Sequence, residues 1–183
     1  LLTDHAKTEC YLTVALGLRP CALVAIPAEL IDGVELGRKI DTLCTEDLRR
    51  VTQASPEEKT VLIPKLRSRI QESYRKIVSS SNSYKAHLNW ARKLSLQTMD
   101  VEVRPSFHEL YLFIDHGVGK QLKRLVALRA SARKSALSKG FVGTGVGLAY
   151  AEELSADYLR SAGKLLGYPP CCVKAYVDDR LSG

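Results

Sequence analysis

Met99-Asp-Val-Glu-Val-Arg104 and Phe107-His-Glu-Leu-Tyr-Leu-Phe-Ile-Asp115 are the two runs whose reading decides the fold. The second is rich in aromatic and β-branched residues, which suit a pleated, half-buried surface. Arg104-Pro105-Ser106 between them supplies the turn. Two strands are therefore expected here, in a chain that otherwise reads as helix. Along the second strand, period-2 alternation sends His108 to the face opposite Glu109 and Asp115. His116 then falls at the strand end.

Downstream of Gly117, Val118, Leu122, Leu125, Val126, Ala132 and Ala136 form an apolar helical stripe beside basic residues. Gly140 to Gly147 breaks that helix. Another is expected from about Leu148 to Leu166, ended by Gly167, and a last one from Pro169-Pro170 through Arg180. Upstream, Asp4 to Leu18 reads as a helix capped by Thr3 or Asp4. Cys21-Ala-Leu-Val-Ala-Ile26 lies between Pro20 and Pro27 and suits a buried strand. Residues 28–51 read as helix. Ser55-Pro56-Glu57-Glu58 is a helix start with a serine cap, a first-turn proline and a glutamate three residues on. Pro64 is expected to kink or end that helix. Leu66, Ile70, Ile77, Leu88 and Ala91 continue near a helical period, interrupted at Ser79-Ser80-Ser81-Asn82-Ser83. Two antiparallel helices fit this better than one, and too few heptads are filled for a coiled coil. The expected class is helix-rich α+β, with several helices packed on a small sheet. A single domain over 1–183 is expected, with a helical-hairpin excursion at about 56–98.

The chain has 183 residues, 45% hydrophobic and 26% charged, enough to bury a core and too apolar to stay disordered. No apolar run approaches the ~18 residues that cross a bilayer. Leu1-Leu-Thr-Asp-His5 lacks the basic and apolar segments of a secretory signal. Five cysteines, an odd number, speak against a disulfide framework and for a reduced, cytoplasmic setting. Two Asn, four Gln and one Met hint at a thermophile source. The net charge of +7 is uneven: residues 51–150 carry all of the excess, and the ends are slightly acidic. From Gly117 to Ala151 there is no acid, while Lys120, Lys123, Arg124, Arg129, Arg133, Lys134 and Lys139 are basic. Such a block attracts phosphate-bearing partners, or simply solvates a helix face.

Three constellations carry the candidate chemistry. Cys171 and Cys172 follow Pro169-Pro170, so they sit in the first turn of a helix, where the dipole would lower a thiol pKa and raise its reactivity. These vicinal cysteines are also the candidate metal ligands, although no Cys-x-x-Cys pair completes a zinc site and no cofactor is clearly implied. Buried, they would act only as small hydrophobes. Gly143, Thr144, Gly145 and Gly147 belong to a glycine loop whose backbone can approach a ligand. It matches neither a P-loop nor a dinucleotide fingerprint. With Lys120, Lys123, Arg124 and Arg133 it makes a candidate site for a phosphate-bearing small molecule or a nucleic-acid backbone. His116 is the candidate imidazole partner of Cys171 or Cys172 in a nucleophilic site.

Leu165-Leu-Gly-Tyr-Pro-Pro-Cys-Cys-Val-Lys-Ala-Tyr176 resembles an archaeal family of unassigned activity, domain of unknown function 483, through a Leu-Gly-Tyr-Pro-x-Cys-Cys-Val signature. The resemblance implies an archaeal, stand-alone cytoplasmic protein and carries over no activity, cofactor or catalytic residue. The leading functional expectation is a thiol- or metal-assisted site that acts on or binds a phosphate-bearing ligand. Its rivals are a non-catalytic nucleic-acid-binding module using the basic 120–139 helix, and a structural or homo-oligomerising protein with buried cysteines. No membrane partner is expected.

Overall fold

β1 (Cys21–Ile26), β2 (Gln97–Arg104) and β3 (Phe107–Phe113) form an antiparallel sheet in the order β1-β3-β2. The computed structural model describes residues 2–139 and 151–182. Cys21 pairs with Phe113 and Ile26 with His108, while Asp100 pairs with Leu110 across the 105–106 turn. The register slips between Glu102 and Arg104. Alternation along the strands then feeds two cores. Ala22, Val24, Ile26, Leu110 and Leu112 face one side, where they meet Tyr11, Val14, Leu36 and Tyr74. Cys21, Tyr111 and Phe113 face the other, against Leu122, Leu125, Leu159 and Val177. Each fully buried valine, leucine, isoleucine or phenylalanine among them contributes roughly 1.5–3 kcal/mol.

The first side is covered by an amino-terminal helix, π-helical over Ala6–Leu12 and α-helical as α1 (Thr13–Ala15), and by α2 (Gly33–Gln53), α3 (Pro56–Ile77) and α4 (Asn82–Lys93). The second is covered by α5 (His116–Ser138), α6 (Ala156–Leu165) and α7 (Pro170–Ser182). The helix-rich α+β class is the one the sequence led us to expect. The exposed edge of β1 is blunted locally. The Ala25 N–H donates to Glu29 Oε2 at 3.1 Å, and the Cys10 thiol donates to the Leu23 carbonyl at 3.5 Å.

Several boundaries differ from the sequence-based expectation, each for a local reason. The helix expected from residue 28 starts at Gly33, because Pro27 opens a turn first. A Cβ on Gly33 would lie 2.0 Å from the Pro27 carbonyl oxygen, so only glycine fits there. Pro64 does not end α3, which runs through it. The residue is exposed, and water can satisfy the carbonyl its missing N–H leaves behind. α3 lies beside α2, to which Arg69 bridges from α3 by an ion pair with Asp47 at 3.1 Å. β3 stops at Phe113, so Asp115 caps α5 by accepting from the Gly117 N–H at 2.7 Å. The helix expected from 148 to 166 is divided instead. A 3-10 turn at Ala151–Leu154 precedes α6, which Ser155 caps through the Tyr158 N–H.

Candidate functional site

Helical period sorts the charges of α5 into two groups. Val118, Leu122, Leu125, Arg129 and Ala136 are buried against the sheet. Lys120, Lys123, Arg124 and Lys134 emerge on the opposite side and are exposed. Among the described residues, no carboxylate lies within ion-pair distance of these four. Arg124 also enters a recess of about 300 Å³ between α5 and α6, shared with Gln121, Ser161 and Lys164. Lys164, in the last turn of α6, likewise has no ion-pair partner among the described residues. The recess lining therefore holds two unneutralised cations, an amide and a hydroxyl, and no acid. That donor set suits a phosphate group.

The other two arginines of α5 are ion-paired, Arg133, expected as a ligand-binding cation, among them. Arg133 donates to both oxygens of Glu152, at 2.9 and 3.2 Å, and to the Val103 carbonyl at 3.1 Å. Arg129, expected on the basic face, lies in the apolar stripe because it follows Leu122 and Leu125 at helical spacing. It donates to Glu109 at 2.6 Å and to the Tyr158 hydroxyl at 2.6 and 2.9 Å. The Tyr111 hydroxyl donates to the same Glu109 oxygen. Burial works against the Arg129 charge, but Glu109 outweighs it and holds the guanidinium protonated. This network fastens α5 and α6 to β3 and fixes the angle at which the outer face of α5 meets solvent.

Cys171 and Cys172 occupy the first turn of α7, as the proline pair led us to expect, and both are exposed. The expected lowering of the thiol pKa is corrected at Cys172. Its thiol is pushed up, by a hydrogen bond with Cys171 and by that neighbour's charge. Among the described residues, no group of three His, Cys, Asp or Glu could hold a metal, so the pair has no third ligand there. Cys10 and Cys21 are core thiols, raised by burial to about 11 and about 12. His116 is exposed at the start of α5, and no hydrogen bond joins it to either cysteine. Gly167 takes φ +77° at the α6–α7 corner, and a Cβ there would meet Pro20 at 2.9 Å. Arg19 lies over the adjoining Tyr168 ring. The Leu165–Tyr176 signature thus builds a tight corner docked on the start of β1. Gly143, Thr144, Gly145 and Gly147 lie outside the described residues.

One histidine that the sequence left unpartnered has an acid. His108 does face away from Glu109, as alternation required, and Asp100 of β2 reaches its ring at 2.5 Å. The hairpin turn at 105–106 alone would set Asp100 and His108 on opposite faces. The register slip between Glu102 and Arg104 brings them to one face, so the sequence carried no signal for this contact. No family model, curated protein or solved structure matches the chain.

Proposed function

We propose that the protein binds a phosphate-bearing polymer, a nucleic acid, on the outer face of α5 and the recess between α5 and α6. The observation that carries this is the convergence of Arg124 and Lys164 on one acid-free recess with Gln121 and Ser161. Lys120, Lys123 and Lys134 extend the same charge along the helix. From Lys120 to Lys134 the stripe is about 21 Å long at 1.5 Å per residue. That reach matches roughly six successive phosphates at 3.4 Å of rise each, more than a single small anion needs. Only shape and charge support the contact, so affinity without strong base preference is expected. A catalytic thiol is less favoured, because no imidazole is hydrogen-bonded to Cys171 or Cys172 among the described residues.

The test is fluorescence anisotropy with a labelled single-stranded and a labelled duplex oligonucleotide at low salt. Replacing Lys120, Lys123 and Arg124 together by alanine should weaken binding by about 100-fold or somewhat more, in line with roughly 1 kcal/mol per phosphate contact. Lys164→Ala alone should weaken it by a smaller factor. Absence of binding by the intact protein at low salt would contradict the assignment, as would equal binding by the triple variant.

A further inference from the structure

The face of the sheet away from α5 and α6 carries a second polar cluster. Asp100 divides its two oxygens: Oδ1 meets His108 Nδ1 at 2.5 Å, and Oδ2 accepts from the Tyr84 hydroxyl at 2.5 Å. The His108 ring stacks on Tyr74 of α3, with centroids 3.9 Å apart and planes inclined by 7°. Tyr74 is buried, and its hydroxyl has no hydrogen-bond partner among the described residues. The imidazole is therefore held on two sides, by an acid at its edge and a ring beneath it. With Asp100 accepting from Nδ1–H, the neutral ring keeps its lone pair on Nε2. Among the described residues, Nε2 has no protein partner.

His108 walls a cleft of about 250 Å³ together with Gln71, Tyr74, Arg75 and Glu102. At about 30 Å³ per water, that volume holds roughly eight waters or a small metabolite. The charges around it are unequal in their commitments. Glu102 already accepts from Gln71 at 2.9 Å and from Arg67 at 3.3 Å. Among the described residues, Arg75 has only a 3.4 Å bond to the Gln71 carbonyl of its own helix and no ion pair. An unneutralised guanidinium, a half-buried oriented imidazole and a cleft of metabolite size thus meet in one place.

We propose that this cleft is a second site, which takes a small carboxylate- or phosphate-bearing molecule on Arg75, with His108 Nε2 as its general base. In the step, the N–H bond forms at Nε2 as an X–H bond of the bound molecule breaks, and the electron pair stays on X. Asp100 balances the imidazolium, and the proton returns from Nε2 to the same molecule or to water. This is a distinct site from the α5 surface, and each can fail without the other.

Acylation by diethyl pyrocarbonate, read histidine by histidine by peptide mass spectrometry, tests it in the intact protein. Buried His87 serves as the unreactive control, and exposed His5 and His116 as the reactive ones. His108 should react, and inorganic phosphate or acetate should slow that reaction at least about fivefold, following occupancy as 1 + [L]/Kd. His5 and His116 should be unaffected, and Arg75→Ala should abolish the protection. A His108 as inert as His87 would overturn the assignment. So would absence of protection in the unaltered protein, which decides the matter even if a variant fails to fold. Protection that survives Arg75→Ala removes the arginine from the site and likewise overturns the site as proposed.

Discussion

Arg129 shows how a single side chain can hold an interface together and still be hidden in the sequence. It lies among seven basic residues, yet it is 7% exposed and bonded to Glu109 and Tyr158. Removing it leaves the half-buried Glu109 charge without its cation and leaves Glu152, 3.9 Å from the Arg129 guanidinium, with only Arg133 among the described residues. Arg129→Met should therefore cost about 3–5 kcal/mol, the range for breaking one partner of a buried ion pair. Urea unfolding measures this, and a loss under 1 kcal/mol would mean the network is not stabilising. Arg129→Met combined with Glu109→Gln should recover part of the loss, because the second change removes the stranded charge. The position was legible in hindsight from its spacing to Leu122 and Leu125. Its partners were not, because Glu152 arrives from a 3-10 turn in a region expected to be continuous helix.

At the scale of elements, the local signals that fixed helix starts were reliable where the cap is closed by neighbours in sequence. Ser55 accepts from the Glu58 N–H at 3.3 Å and Glu58 accepts from the Ser55 N–H at 2.9 Å, a complete capping box. Ser55→Ala should destabilise the protein by about 1 kcal/mol, read as a shifted thermal midpoint with unchanged fold by circular dichroism. Signals that depend on distant atoms misled. Gly33 lies inside the run read as helix from residue 28, whereas it is the point where the chain passes Pro27 too closely for a side chain. Pro64, expected to kink or end its helix, does not end it, because its exposure makes the lost hydrogen bond tolerable. The strand pair around Pro105 was readable from composition, and the Asp100–His108 contact was not. Which residues face each other there depends on the register slip between Glu102 and Arg104.

The molecule as a whole sets a three-stranded sheet between two helical layers, and its two candidate sites lie on opposite faces of that sheet. Stability should follow pH through the buried Tyr11–His87 pair on the α3–α4 side. The Tyr11 hydroxyl meets His87 Nδ1 at 2.9 Å and the His87 carbonyl at 3.1 Å. Burial pushes the His87 pKa down from 6.5 to about 4. Between those values the unfolded chain binds a proton that the folded chain refuses, so stability falls as pH drops through that window. The loss is on the order of 3 kcal/mol by pH 4, and it should be largely absent in His87→Phe, as urea unfolding at several pH values would reveal. No helix among the described residues is long and apolar enough to cross a membrane.

The proposed nucleic-acid contact rests on the charge distribution, whose excess resolves, among the described residues, into an α5 face without ion pairs and a recess shared with α6. The salt dependence of oligonucleotide binding measures that feature directly. For about four phosphate contacts, log K should fall with log salt at a slope near −3, and replacing Lys120, Lys123 and Arg124 should flatten it by two units or more. A slope unchanged by those three substitutions would contradict a nucleic-acid surface on α5.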